Sequence, residues 1–385
     1  MISALHNIRN LIQLEIDRLR YSRAYSGLHN NLDVEIHLKE AADWLRRAQD
    51  AGNDRGVSYG ARFDGQFLPS YPETTGYIIP TFLRLSEIYG DSDFKRRAIE
   101  MADWEISIQM HCGAVMGGMV NANSTPAVFN TGQVLLGWAE IYRHTAEPRF
   151  LDAGKRAAQW LVEVQSPDGS WQKFNSKYAD PNSTVYNVKA AWGLCLFGIV
   201  AGEHTFVDAA VRNAEYALSK QAKNGWFNDC CLTNSQQPLL HTIAYAMQGL
   251  AGIGFLTGRD DLVGASRLTA EGLADMMMED GFLPGRIHPD FTGAVEWCCL
   301  TGSAQTSIVM SHLFKVDGNV RWRNVIRKLN RYLMARHDIS SPNPAIRGGI
   351  AGSWPVCGDY GRFMVLNWAT KFFVDALIAE TELGV

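Results

Sequence analysis

Apolar residues in this chain alternate between two patterns. Val34, Leu38, Ala41, Ala42 and Leu45 recur at helical spacing and predict an amphipathic helix with one buried stripe. Residues 74–89, 130–144, 184–201, 241–257, 299–316 and 365–382 lack a charged face over most of their length, which predicts helices surrounded by protein on every side. Between the two kinds lie Gly-rich breaks, such as Asp168-Gly-Ser-Trp171, Asn224-Gly-Trp226 and Asp280-Gly-Phe282, where glycine supplies a left-handed turn. A second beat runs through the amphipathic helices. An aromatic residue is followed five positions later by glutamine at Trp44 and Gln49, Trp104 and Gln109, Trp160 and Gln165, and Tyr216 and Gln221. Leu273 and Tyr332 continue the series without the glutamine, so the anchors recur every 56 to 60 residues.

A period of that length holds two helices and two loops, and repeats at fixed spacing bury each other's apolar faces. Six such units predict an all-α fold, an (α/α)6 toroid with the apolar helices inside and the aromatic-anchored helices outside. An open α-solenoid is the alternative, and six hairpins favour closure. Residues 1–385 read as a single toroid domain, with residues 1–30 as an N-terminal helical extension.

Composition narrows the partners. With 385 residues and 46% hydrophobic content the chain can bury a large core. A formal charge of −4 leaves no basic surface for neutralising phosphates, so nucleic acid is not an expected partner. The first twenty residues carry His6, Arg9, Asn10 and Glu15 and lack the continuous apolar run of a leader, and no stretch predicts a membrane span. A cytoplasmic location is expected. Seven cysteines are too sparse for a disulfide scaffold and read as thiols or metal ligands.

The aromatic, the glutamine and the following Gly-x-Trp resemble the QW repeat of triterpene cyclases and the toroid of protein prenyltransferases. Trp160, Gln165 and Gly169-Ser-Trp171 form the best copy. The resemblance implies architecture, because the Asp-rich acid motif of the cyclases and the diphosphate motif of the prenyl synthases are absent. The six-hairpin toroid is also the fold of glycoside hydrolases, uronyl hydrolases, polysaccharide lyases and sugar epimerases, whose substrates bind where the inner-helix N-termini converge. This chain is similar to them there, since its loops mix aromatic and hydrogen-bonding residues as a sugar requires.

Aligning the inner helices by their C-terminal glycines, Gly90 and Gly258, gives an offset of 168 that places Glu73 opposite His241. Both then stand at helix starts on one mouth, in the first and fourth repeats. Glu73 reads either as a helix-start acid stabilised by the macrodipole or as a general acid desolvated by Tyr71 and Tyr77. His241 reads as a core histidine, a base or a metal ligand. Tyr186 is a second candidate base, and Glu296 and Asp359 are candidate second carboxylates. Candidate substrate-binding residues are Tyr71, Tyr77, Arg62, Asn130, Asn187, Trp226, Arg286, Gln305, Trp354, Tyr360, Arg362 and Asn367. The arginines suit a substrate carboxylate or, with Arg347, surface ion pairs.

Cys231, Cys298 and Cys299, with His241 and Glu296, make a candidate zinc set of thiolate, imidazole and carboxylate. Glu296-Trp-Cys298 and Cys230-Cys231 resemble, in reversed order, the zinc ligands of some toroid β-L-arabinofuranosidases, and Glu296-Trp-Cys298 is similar to the Asp-x-Cys of protein prenyltransferases. The resulting expectation is an enzyme cleaving or modifying a uronic-acid-containing polysaccharide or oligosaccharide, as a glycoside hydrolase or a lyase or epimerase. A zinc-dependent transferase or cyclase, and a non-catalytic glycan-binding subunit of a polysaccharide-assembly system, are the alternatives.

Overall fold

The computed structural model describes residues 15–17, 30–120, 125–175, 179 and 182–384. The expected extension at residues 1–30 lies almost wholly outside them. The described residues form α1 (Val34–Asp50), α2 (Pro72–Tyr89), α3 (Ser92–Ser107), α4 (Val128–Thr145), α5 (Pro148–Glu163) and α6 (Val188–Ala201). They continue with α7 (His204–Ser219), α8 (Leu240–Thr257), α9 (Asp260–Met276), α10 (Leu300–Asp317), α11 (Val320–Met334) and α12 (Asn367–Glu382).

The even-numbered helices contact one another in the cycle α2, α4, α6, α8, α10, α12 and back to α2, so the inner ring closes. Closure rules out the open solenoid. Each of the first five inner helices makes its tight hairpin with the outer helix that follows it, through left-handed caps at Gly90, Ala146, Gly202, Gly258 and Gly318. The outer helix α1 has no such predecessor and packs on α12, joining the two ends of the described fold. The connection from each outer helix to the next inner one is of a different kind. In the structure that connection is the long one, and all six long loops gather on one face, at the N-termini of the inner helices.

The aromatic and glutamine beat braces neighbouring outer helices. Gln165 Nε2 donates to Gly169 O at 3.1 Å within its own turn and to Ala209 O of α7 at 2.8 Å. Gln109 does the same to Gly113 and to Ala153 of α5, and Gln221 to Gly225 and to Ala265 of α9. The glycine of that turn has φ of +84° at Gly169, and a Cβ there would lie 2.5 Å from Arg212 O, so no side chain fits. Gln165→Ala removes two hydrogen bonds to backbone carbonyls that keep other donors, Asn213 among them, and is expected to lower stability by about 1–2 kcal/mol in denaturant unfolding. A Gln221→Ala control should behave alike, because the brace repeats.

Two short ribbons organise the mouth. β1 (Gly60–Arg62) pairs antiparallel with β4 (Met364–Leu366), stitching the first long loop to the last. β2 (Cys298–Cys299) pairs with β3 (Ser353–Trp354), matching Cys298 with Trp354 and Cys299 with Ser353. Among the described residues, no helix is long and apolar enough to cross a membrane.

Candidate functional site

Glu73 and His241 are the second residues of α2 and α8, at the same mouth and across the ring. The helix-start expectation therefore holds for both. Around them the inner-helix starts and the loops supply an aromatic enclosure. Tyr59 and Tyr71 pack at 5.3 Å, and each meets Trp368, at 4.6 and 6.1 Å between ring centres. Trp368 Nε1 donates to the Tyr360 hydroxyl at 2.8 Å, and Tyr360 lies 5.3 Å from the His241 ring. His241 stacks on Tyr245 at 4.2 Å, and Tyr245 on Phe129 at 4.8 Å. Tyr77 and Tyr245 both pack on Phe372, at 5.4 and 6.4 Å between ring centres, which completes the circuit. Glu73, Tyr59, Tyr71 and Tyr360 are partly open to water, whereas Tyr77, His241, Tyr245 and Trp368 are buried. The first group makes the rim of a pit and the second its floor.

The two polar groups are tuned oppositely to their ordinary behaviour. Desolvation by this aromatic wall raises the Glu73 carboxyl to about 7, against the opposing pull of the Tyr71 hydroxyl, which donates to Oε2 at 2.6 Å. Burial lowers His241 to about 4 and keeps the imidazole neutral. Its Nδ1 lies 2.7 Å from Gln305 Oε1, while Gln305 Nε2 donates onward to Gln248 Oε1 at 3.3 Å. Since Oε1 only accepts, Nδ1 carries the proton and Nε2 holds a lone pair. The arrangement sets a carboxyl that is half protonated near neutrality against a neutral imidazole acceptor, with Tyr245 between them.

The other residues expected at the site divide. Tyr71, Tyr77, Tyr360 and Gln305 belong to the pit or its support. Tyr186 is buried behind Phe129, 5.5 Å from its ring. Asn130, Asn187 and Asn367 are buried and direct their amides to Met116 O, to Asn175 Oδ1, and to Ser58 O and Thr74 Oγ1, respectively. Those bonds tie the inner-helix starts to the long loops and, through Asn367 and Thr74, to each other. Trp226 is 3% exposed and packs edge-on against Phe291 away from the pit. Arg62 projects from the exposed end of β1, and Arg347 pairs with Glu40 of α1 at 3.2 Å.

Two candidate carboxylates stand elsewhere. Asp359 points outward, 3.7 Å from Arg286 and 3.3 Å from Arg362, so these three form an ion-pair group at the rim. Glu296 and Trp354 line a separate groove of about 750 Å³ with Phe282, Phe291 and Arg336. The reason is strand alternation. Ser353 holds the Tyr360 backbone on one side of the ribbon, and its neighbour Trp354 turns to the other.

The zinc set is corrected by the same geometry. Cys231, His241, Cys298, Cys299 and Glu296 do not converge, and among the described residues no group of three or more such side chains is placed to hold a metal. Cys298 Sγ instead meets Ser303 Oγ at 3.3 Å, and burial raises the Cys298 and Cys299 thiols to about 11 and about 12. Sequence reasoning missed Tyr59, Phe129, Tyr245 and Trp368 as pit residues. The offset of 168 that carries Glu73 to His241 also carries Tyr77 to Tyr245, a signal that was present.

Residues 122–250 match the model of the squalene-hopene cyclase C-terminal domain family. That stretch holds the best copy of the brace, Trp160, Gln165 and Trp171. No curated protein sequence matches the chain. Among solved structures the chain is similar to an unsaturated glucuronyl hydrolase specific for heparin, at 15% identity and a TM-score of 0.72, covering 91% of this chain and 97% of that one. It is similar to the cellobiose 2-epimerase of Bacillus thermoamylovorans at 11% identity and 0.70, covering 90% and 98%. An unsaturated glucuronyl hydrolase of Bacillus sp. GL1 follows at 13% and 0.67, covering 91% and 97%. These likenesses establish the six-hairpin toroid along nearly the whole chain.

Proposed function

We propose that the chain is a carbohydrate-active enzyme that moves protons at a sugar ring, as a lyase or epimerase acting on a uronic-acid-containing oligosaccharide or polysaccharide. One observation carries this reading: the pit opposes a single carboxyl poised at about 7 to a neutral imidazole whose Nε2 is an acceptor. His241 takes the proton from a ring carbon. Glu73 delivers one to the leaving glycosidic oxygen in elimination, or to the opposite face of the same carbon in epimerisation. Placement of the pair in the first and fourth hairpins suits transfer from opposite sides. Tyr59, Tyr71 and Trp368 offer ring faces to sugar C–H groups.

Hydrolysis with two carboxylates is less well supported, because Glu296 and Asp359 lie outside the pit and the alternative needs a second acid within reach of the sugar. Among the described residues, the zinc-dependent transferase lacks a convergent donor set. A substrate carboxylate fits the rim at Arg286 and Arg362. Beside Glu73 no cation contributes to its titration, which favours a neutral ring in the pit itself and supports epimerisation of a neutral sugar as the second reading.

The test is incubation with uronate-containing polysaccharides and with neutral disaccharides in deuterated buffer. New ultraviolet absorbance from a ring double bond identifies a lyase, and deuterium at one ring carbon without cleavage identifies an epimerase. Reducing ends without either signal would overturn the proton-transfer reading in favour of hydrolysis. Saturable glycan binding with no turnover would assign the non-catalytic role.

A further inference from the structure

The toroid has a second opening, at the C-terminal ends of the inner helices, leading to a cavity of about 400 Å³ that lies within the ~300–1,000 Å³ range of small-molecule sites. Tyr77 and Phe372 separate it from the pit. Its walls include Leu136, Trp192, Leu196, Ile308 and Phe372, and two buried amines open into it, those of Lys189 and Lys371. Lys189 is 3% exposed. Among the described residues it makes no hydrogen bond and no ion pair; its Nζ rests over the Trp192 ring at 3.9 Å, with the Phe372 ring at 5.9 Å.

The charged groups around it are already matched. Lys371 bonds Asp375 at 2.7 Å, and Asp375 also accepts from Thr81 at 2.8 Å. Arg84 pairs with Glu382, Glu87 with His144 at 3.2 Å, and Glu140 with Arg143 at 3.2 Å. His312 is held neutral by burial. Among the described residues Lys189 is thus the one lining cation without a hydrogen bond or ion pair, and Asp375, already bonded to Lys371, offsets its charge only in part. A buried ammonium without a hydrogen-bond partner is costly, and at the same level of the ring, thirteen residues before the left-handed residue that ends each helix, the other inner helices place Tyr77, Gln133, Tyr245, Gln305 and Lys371.

We infer that Lys189 is a nucleophilic amine that condenses with a small aldehyde, the open-chain form of a reducing sugar included, entering through the mouth opposite the pit. Three features favour the chemistry. Apolar walls and the neighbouring Lys371 ammonium hold the side chain in its uncharged form, well below the usual lysine range. The cavity is large enough for the aldehyde, and the Trp192 and Phe372 rings flank the amine. The nitrogen lone pair attacks the carbonyl carbon, and the oxygen takes up the proton the nitrogen loses. Departure of that oxygen as water, with the second amine proton, leaves a C=N bond and no change of oxidation state.

The full chain treated at neutral pH with glycolaldehyde and cyanoborohydride, then digested and mapped by mass spectrometry, gives a rate for each lysine. Lys189 should be alkylated faster than exposed Lys39 by about tenfold or more, because only an uncharged amine attacks. Lys189→Arg should remove that fast phase, and the rates on the native chain stand without any variant. Labelling of Lys189 no faster than that of Lys39 would overturn the assignment, whether the amine is protonated or out of reach.

Discussion

Glu73→Gln is expected to lower turnover on the true substrate by about 10²–10⁴-fold while leaving the fold intact. The substitution keeps the shape of the side chain and its hydrogen bond with Tyr71, and removes only the transferable proton. Stability gives an independent reading of the same group. A carboxyl raised to about 7 when folded, against about 4.3 unfolded, disfavours the native state increasingly as pH climbs through that interval. Below the unfolded value the penalty vanishes. Glu73→Gln should therefore match the native chain in melting temperature at about pH 4 and exceed it at about pH 8. A general-acid role also requires activity to fall as pH rises through about 7, since the proton to be donated is then lost. A variant that keeps its turnover, or a profile that rises through the same range, would remove Glu73 from the mechanism as proposed.

How much of this was legible in the chain depends on the physical range of each signal. The toroid was, because the brace is local: Gln165 bonds its own turn and the next outer helix, so its spacing records the repeat directly. The inner helices were legible because full burial erases a polar face, and the segments predicted at 74–89 and 241–257 begin within two residues of α2 and α8. Hairpin pairing was not, since sequence order is the same whichever loop is the short one. At the site, Glu73 and His241 emerged from the offset of 168, which is a property of helix length. Tyr59 and Trp368 meet through the ribbon that joins the first and last long loops, a contact no local pattern encodes. Glu296, Trp354 and Asp359 were drawn toward the site by sequence proximity to Cys298 and Tyr360. Strand alternation and an outward ion-pair group send them elsewhere.

His241→Phe carries the complementary prediction. Phenylalanine retains a ring between Tyr245 and Tyr360, so the floor of the pit keeps its packing, and both nitrogens are lost. Turnover should fall by about 10²–10⁴-fold, with the larger share in kcat, because the proton acceptor acts in the transition state. Removing the imidazole also leaves Gln305 Oε1 without its donor, which is expected to lower stability near neutrality by about 1–3 kcal/mol. Gln305→Leu in the same chain should not recover that loss, because it also takes the donor from Gln248 Oε1, and it should restore none of the activity. The pH dependence has the opposite sign to that of Glu73. A histidine lowered from 6.5 to about 4 on folding makes the native state less stable as pH falls below 6.5, because the unfolded chain binds the proton first. In the His241→Phe variant this acid-side slope should flatten between about pH 6.5 and 4, read by thermal unfolding in matched buffers. Loss of activity together with an unchanged acid slope would mean that His241 is already exposed to protons when folded, and the neutral acceptor on which the proposed chemistry depends would not exist.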